Sequence, residues 1–397
     1  MKNKVELLAP AGDLERLKIA LKYGADAVYV GGPLLNLRAN ATNFTLDELN
    51  EGIDYAHKLN KKVYVTVNII LHNNESKEVD EYLKKLKEIN VDAIIVSDPA
   101  VIRIAKKYDI EVHLSTQQST LNYEAVKFFK KQGVTRVVLA RECSKEDIEL
   151  IKNNVDIEIE TFIHGAMCAG YSGRCVMSNV LTNRDANRGG CSQICRWDFD
   201  LLDQDKNLII GDKPFTFCSK DLSMLEYIDE MIKLGITSFK IEGRMRSQYY
   251  IATVVSVYRK IIDNYYHTIK DKEYNKYERI LRNCANRDSI VQFYNGIYDN
   301  TCSYYNGREE VSNQDFLGIV LDYDNDKKMA IIEERNYFKK GDVVEMFGPN
   351  HDIITFTIDE IFNEDGDIIE VVRHPREIVK INIDYKLDKD DMIRIKK

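Results

Sequence analysis

Several features that would place this chain in a familiar class are missing from its sequence. No apolar run approaches the roughly 20 residues that a membrane-spanning helix needs, and there is no internal repeat or low-complexity stretch. The first residues, MKNKVELLAPAGD, become charged too soon for a secretory signal peptide. We therefore expect a cytoplasmic protein that does not associate with membranes.

Familiar hydrolase motifs are also missing. The sequence has no G-x-S-x-G elbow, no H-E-x-x-H pair, and no cysteine beside a histidine outside one cysteine-rich segment. A net positive charge is missing too, since 64 acidic residues outnumber 56 lysines and arginines and the net charge is -8. This balance argues against a general nucleic-acid coat protein, although it permits a local basic site.

The 397 residues are enough for one large domain and one smaller one. Over residues 1–270, eight or nine short apolar strand patterns alternate with helical patterns, which predicts a TIM-like (β/α)8 barrel; an open doubly wound sheet is the alternative. Residues 271–312 form a tyrosine-rich connecting segment. Residues 313–397 alternate short strands with turns, which predicts a small antiparallel β-barrel domain of a kind often used to hold RNA.

Polar residues follow the predicted barrel strands, where the active sites of such barrels lie. In SFKIEGR, the side chains of Lys240, Glu242 and Arg244 alternate with apolar or glycine positions and should share one face of the strand. Burying these charges is costly, so they indicate either a pocket for an anionic small molecule or a salt-bridged plug. In the plug, Lys240 and Arg244 would neutralise Glu142 and Glu242.

One glycine-rich segment, residues 164–197, carries four cysteines in the spacing C-x6-C-x15-C-x3-C. We call it the cysteine loop. Its cysteines are Cys168, Cys175, Cys191 and Cys195, and Cys218 in FTFCSKDL is an alternative fourth ligand. Structural zinc sites usually pair their cysteines as C-x2-4-C, so this spacing favours an iron-sulfur cluster over zinc. The loop also holds four arginines against one acid, so it is basic within an acidic chain.

Several stretches together resemble the U32 family, long labelled collagenase-like peptidases. They are ELLAPAGDLERLKIALKYGADAVYVGG, ETFIHGAMCAGYSGRC, GGCSQICRW, SKDLSM and FKIEGRMRSQYYIATVVSVYR. Within that family, the sequence is most similar to a branch that hydroxylates the wobble uridine of tRNA to 5-hydroxyuridine. This resemblance implies a 4Fe-4S cluster on the loop cysteines, prephenate as co-substrate and the anticodon loop of tRNA as partner.

The motifs and the resemblance together give candidate residues for each role. The candidate catalytic residues are His164, Glu160, Lys220 and Glu242; the candidate substrate-binding residues are Lys240, Arg244, Arg141 and Gln117. His164 is either a proton donor or a structural histidine. The alternatives to a tRNA hydroxylase are a U32-type peptidase and a non-catalytic RNA-binding or scaffold protein, and the sequence leaves a protein partner open.

Overall fold

The computed structural model describes residues 4–35, 43–209, 214–269, 273–296, 298–305 and 315–397. The chain divides into two compact units. One unit comprises Met1–Glu278 with Arg287–Glu310, and the other comprises Arg279–Asn286 with Val311–Lys397. No helix in the described ranges is long and apolar enough to cross a bilayer.

The first unit is built on parallel strands that close into a barrel. Its strands are β1 (Glu6–Pro10), β2 (Ala27–Gly31), β3 (Lys62–Val67), β4 (Ala93–Val96), β5 (Val112–Leu114), β6 (Arg136–Val138), β7 (Glu158–Gly165), β8 (Asp221–Ser223), β9 (Ser238–Ile241) and β10 (Ser289–Ile290). Strands β1 to β7 pair in chain order, and β9 pairs in parallel with both β7 and β1. This closure confirms the predicted eight-stranded barrel and excludes the open sheet.

Helices of the first unit follow most of the strands, as the alternating pattern predicts. They are α1 (Leu14–Lys22), α2 (Leu46–Lys58), α3 (Ser76–Glu88), α4 (Pro99–Lys107), α5 (Tyr123–Lys131), α6 (Lys145–Asn154), α7 (Met177–Thr182), α8 (Ile228–Lys233), α9 (Gln248–Tyr266) and α10 (Tyr274–Cys284), the last of which extends into the second unit. Local sequence fixes where many of them begin. In α2, for example, the Thr45 hydroxyl accepts a bond from the backbone N–H of Glu48 at 3.2 Å, completing a capping box.

Two short strands lie outside the closed barrel. The run FTFCSKDL leads into β8, which pairs antiparallel with the end of β7 instead of taking a place in the barrel. Strand β10, from the predicted connecting segment, pairs in parallel with β8. Of the described residues in that segment, those at 287–296 and 298–305 belong to the barrel unit, and Ser303 forms a β-bridge with Ser219 just ahead of β8.

The second unit is an antiparallel β domain. Its strands are β11 (Phe316–Asp324), β12 (Met329–Glu334), β13 (Phe338–Lys339), β14 (Val343–Gly348), β15 (His351–Thr357), β16 (Ile361–Phe362), β17 (Ile368–Ile369), β18 (Val371–Val372), β19 (Ile378–Asn382) and β20 (Met392–Ile395). Eight of these form one sheet in the order β15-β14-β20-β11-β12-β19-β16-β17. Met346 and Ile361, from opposite halves of this order, lie in the same buried cluster, so the sheet curls around a single core.

Candidate active site

A cavity of about 460 Å³ lies where the barrel strands end and the cysteine loop begins. It brings together many of the residues that the sequence singles out. Its lining includes Gln117, Arg141, Lys240, Glu242, Arg244, Cys168, Cys175, Cys191 and Cys195. The three charged side chains of SFKIEGR therefore do line one cavity, Lys240 from β9 and Glu242 and Arg244 from the residues that follow it. Glu160, His164, Lys220 and Cys218 are not among the lining residues.

Glu160 lies in an ion pair inside the barrel. Its side chain is fully buried, and one carboxylate oxygen accepts a bond from Lys240 Nζ at 2.7 Å while the other lies 3.3 Å from Arg136 Nη1. Burial raises the pKa of a carboxyl group, but the charges of Lys240 and Arg136 outweigh it here and lower the pKa of Glu160 to about 2. Glu160 is thus positioned to hold Lys240. Lys240 pairs with Glu160, whereas the plug interpretation assigned it to Glu142 or Glu242.

Glu242 has a different partner from the one that the plug interpretation assigned. Its carboxylate lies 2.9 Å from Arg141 Nη2, and the guanidinium of Arg141 lies 3.8 Å from the centre of the Phe162 ring. Arg141 also donates to the Ser172 hydroxyl in the cysteine loop at 2.9 Å. The Arg141 side chain therefore connects the barrel wall, the loop and the Glu242 carboxylate.

Arg244 reaches across the barrel mouth. Its guanidinium donates to the Thr66 hydroxyl on β3 at 3.1 Å, and the residue is only 6% exposed. Glycine at two positions makes room for it. A Cβ at Gly31 would lie 2.1 Å from Arg244 Nη1, and a Cβ at Gly12 would lie 2.4 Å from the Arg244 carbonyl oxygen. These close approaches fix both the backbone and the fork of Arg244.

His164 lies outside the cavity because strand β7 is irregular. Strict alternation would place His164 on the same face as Glu160 and Phe162. However, the register between β7 and β9 shifts between Phe162 and His164, and such a bulge turns the following side chain to the opposite face. His164 Nδ1 lies 3.2 Å from the Tyr258 hydroxyl on α9, and the ring is 3% exposed. The structure thus favours the structural histidine over the proton donor.

Burial keeps His164 neutral. Desolvation, with a further contribution from the charge of Arg246, lowers the pKa of His164 to about 3. Because the unfolded chain protonates this group near pH 6.5 and the folded chain does not, its contribution to stability is complete above pH 6.5 and is lost as the pH falls towards 3.

We expect the titration of His164 to lower the free energy of unfolding of the wild-type protein by about 2 kcal/mol as the pH falls from 7 to 5. His164→Asn keeps a polar atom near Tyr258 but cannot titrate, so its unfolding free energy should fall less over the same interval. Urea unfolding at the two pH values measures the difference. Equal losses in the two proteins would contradict a neutral, buried His164.

Lys220 is also displaced from the cavity. Its backbone N–H donates to the Cys302 carbonyl at 3.0 Å, and its ammonium group lies 5.7 Å from the centre of the Tyr304 ring. Both partners come from the segment that leads to the second unit. A role for Lys220 in positioning that segment fits these contacts better than a catalytic role.

The four loop cysteines line the same cavity. Cys168 and Cys191 are exposed, and Cys175 and Cys195 are half-buried. Burial, with smaller contributions from the neighbouring Cys168, Cys191 and Cys218, raises the pKa of the Cys195 thiol to about 11. Within the described ranges, no three His, Cys, Asp or Glu side chains form a complete metal-ligand group. The donors suit an iron-sulfur cluster or zinc, and ligation requires these thiols to move closer together.

Cys218 lies beside a buried charge cluster that the sequence does not reveal. Arg287 Nη1 lies 3.9 Å from the Cys218 sulfur, and Arg287 Nη2 lies 2.7 Å from the buried Asp221 carboxylate. Arg246 Nη2 is 3.5 Å from the other oxygen of Asp221. Arg287 comes from the predicted connecting segment and is 69 residues from Cys218, so no local pattern relates the two.

The cysteine loop is fastened to the barrel at several points. The Ser119 hydroxyl donates to the Ser172 carbonyl at 2.7 Å, and Arg188 forms an ion pair with Glu75 in the loop after β3. Gly173 has a φ of +80°, and a Cβ there would lie 2.1 Å from the Gln117 carbonyl oxygen. Only glycine allows this close approach, which brings the loop against the strand ends.

Comparison with known families agrees with this architecture. The model of peptidase family U32 matches residues 12–302, and the model of the U32 C-terminal domain matches residues 312–394. The chain belongs to peptidase family U32. The two matches correspond to the barrel and the antiparallel β domain, and the resemblance seen in the sequence is confirmed.

Three relatives illustrate the range of names in the U32 family. The tRNA hydroxylation protein P1 of Bacillus subtilis is 49% identical over 99% of this chain and 95% of its own length. The tRNA hydroxylation protein P of Escherichia coli is 35% identical over 93% of this chain and 91% of its own. A collagenase of Porphyromonas gingivalis is 31% identical over 90% of each chain.

Proposed function

We propose that this U32 chain hydroxylates the wobble uridine of tRNA to 5-hydroxyuridine, with a 4Fe-4S cluster as cofactor and prephenate as co-substrate. Relatives named for tRNA hydroxylation support the reaction class. The observation that carries the proposal is the charge of the cavity in an acidic protein of net charge -8. Among the described lining residues, one carboxylate faces five cations: Glu242 against Arg141, Arg174, Arg196, Lys240 and Arg244. A site of this kind favours anionic ligands such as a dicarboxylate and a phosphodiester.

The cluster would be held by Cys168, Cys175 and Cys191, with Cys195 or Cys218 as the fourth ligand. Four of these thiols line the cavity, and Cys218 lies within electrostatic reach of Cys195. When bound, such a cluster supplies one-electron chemistry. The protein's own contribution is to orient the uridine and the dicarboxylate in the same cavity and to exclude bulk water from them.

The dicarboxylate would bind at the inner end of the cavity. Lys240 is held there by Glu160, and Arg244 is held by Thr66 and by the close approach to Gly31. A fixed planar guanidinium matches a carboxylate bidentately, which a lysine cannot do. This arrangement supports the assignment of Arg244 as the main carboxylate contact.

The described site geometry gives a peptidase less support. A cysteine peptidase needs a histidine within hydrogen-bond reach of its thiol. His164, the first residue of the cysteine loop, is instead turned towards Tyr258 on the outer side of the barrel. The peptidase reading thus rests on the names of some relatives, such as the collagenase of Porphyromonas gingivalis.

Mass spectrometry of tRNA nucleosides from a strain that lacks the gene tests the proposal. We expect 5-hydroxyuridine and its derivatives to disappear and to return when the wild-type gene is restored. Lys107→Met, which removes an exposed ion pair with Asp80 and a cation–π contact with Tyr108, should restore them equally well. An unchanged nucleoside profile, together with clearing of gelatin by the purified protein, would instead favour the peptidase.

Arg244 distinguishes a ligand pocket from a structural plug. We expect Arg244→Ala to abolish hydroxylation in cells while the protein still folds. Arg244→Lys keeps the charge but loses the planar fork, so it should weaken prephenate binding by about 1–3 kcal/mol. Calorimetric titration with prephenate measures this loss. If Arg244→Ala instead melts early or fails to accumulate, Arg244 serves the fold and the pocket assignment is wrong.

A further inference from the structure

Two exposed aromatic side chains stand at the mouth of the cavity. Tyr171 in the cysteine loop is 45% exposed, and Phe217 ahead of β8 is 40% exposed, yet both line the cavity. Side chains that line a cavity and are also exposed must lie at its rim. We call these two residues the aromatic rim. Exposed aromatic side chains that border a cavity mark a ligand-binding groove more often than those scattered singly over a surface.

The ring of Phe217 is held in place from behind. Its centre lies 5.5 Å from that of Phe199 and 4.8 Å from that of Phe215, both in edge-to-face contacts. Phe215 in turn stacks on Tyr305 at 5.9 Å. Phe199 and Phe215 therefore hold Phe217 directly, and Tyr305 supports Phe215 from behind, while Phe217 remains partly open to solvent. A fixed ring loses little conformational entropy on binding, which favours its use as a stacking surface.

Cationic side chains accompany the aromatic rim. Arg174 is exposed, Arg196 is half-buried with its guanidinium 2.8 Å from Gln193 Oε1, and both line the same cavity. Aromatic rings interleaved with arginines are the combination that binds unpaired nucleotides, because the rings stack on bases and the arginines neutralise phosphates. The strongly basic character of the cysteine loop favours RNA over a peptide as the occupant.

We propose that the aromatic rim stacks on the target uracil as it leaves the anticodon loop and enters the cavity, and that Arg174 and Arg196 contact the neighbouring phosphates. This inference rests on the proposed function. An enzyme that modifies a ring carbon of a base needs the base out of its stack, and an unpaired loop nucleotide makes that step cheap. The rim thus supplies the stacking that the base loses.

Binding of an anticodon stem-loop RNA to the full-length protein tests the rim. One RNA carries uridine at the wobble position, and a second RNA is abasic there. We expect Tyr171→Ala and Phe217→Ala each to weaken binding of the uridine RNA by roughly 5- to 150-fold, and to leave binding of the abasic RNA at the wild-type level. Tyr171→Phe and Phe217→Tyr, which keep the aromatic ring, should recover part or all of the loss. Phe128→Ala, which removes a 56% exposed ring elsewhere in the barrel unit, is the matched control.

The arginines should behave differently from the aromatic rim. Arg174→Ala should weaken the binding of both RNAs equally. It should also reduce the slope of log affinity against log salt concentration by about one. If the variants of the aromatic rim weaken the binding of both RNAs equally, or of neither RNA, the stacking assignment is wrong. If they weaken binding to gelatin and the wild-type protein binds no RNA, the rim holds a peptide. A failure of the proposed function would give a separate result. In that case the wild-type protein binds neither stem-loop, and deletion of the gene leaves the tRNA nucleosides unchanged.

Discussion

Protein purified without oxygen should be brown, and serine at Cys168, Cys175 or Cys191 should remove the colour and abolish hydroxylation. The three thiols line one cavity with Cys195, and thiolates bound to iron give broad absorption that zinc does not give. Loss of one ligand leaves an open cluster edge, so each single change should have a near-complete effect. Visible absorption and iron content of the anaerobically purified variants measure it.

The same measurement identifies the fourth ligand. Of Cys195→Ser and Cys218→Ser, the one that bleaches the protein marks the ligand. Cys143→Ala is the control, since this cysteine is buried beside the Thr120 carbonyl, away from the cavity, and should keep full colour. A colourless wild-type protein with stoichiometric zinc would contradict the iron-sulfur proposal.

The second large effect concerns the ion pair beneath the cavity. We expect Lys240→Met to lower the free energy of unfolding of the barrel by roughly 3–5 kcal/mol, because it leaves the Glu160 carboxylate buried with one partner fewer. The double change Glu160→Gln with Lys240→Met removes both charges and should recover most of that loss. Chemical denaturation of the single and double variants measures both.

A surface pair provides the comparison for this prediction. Lys107→Met breaks the exposed pair with Asp80 and should cost at most about 1 kcal/mol. If Lys240→Met is as stable as Lys107→Met, then Glu160 is either neutral or adequately held by Arg136 alone. The contrast separates a structural requirement for Lys240 from its contact with a ligand in the cavity.

Periodicity in the sequence predicted the barrel and much of the candidate site. Lys240 on β9 lines one cavity with Glu242 and Arg244, which follow that strand, and with Arg141 and Gln117 from the ends of other strands. Side-chain direction within β9 depends only on local geometry, whereas Glu242 and Arg244 lie beyond the strand, where Gly243 has a φ of +149°. Within a regular strand, the direction of a side chain can therefore be predicted from a single sequence.

The failures arise where the geometry is irregular or the contact is distant. A bulge in β7 turns His164 outward, and no residue in IEIETFIHG marks where it occurs. Arg287 meets Asp221 and Cys218 only because β10 pairs with β8, and pairing of two very short strands leaves no periodic pattern. The sequence makes Glu160 a candidate catalytic residue, but it does not reveal that this side chain is fully buried and paired with Lys240.

The direct pairing of β7 with β9 has a consequence for how the protein is assembled. The barrel closes across these two strands, and α8 lies in the connection that leads into β9. The chain from residue 166 to β8, with the cysteine loop, is therefore a long insertion between two neighbouring barrel strands. Its described residues add no strand to the barrel. Because β7 pairs with β9 directly, the hydrogen bonds that close the barrel there involve no residue of this insertion. Substitutions in the insertion can therefore change the lining of the cavity without removing any of the hydrogen bonds between β7 and β9.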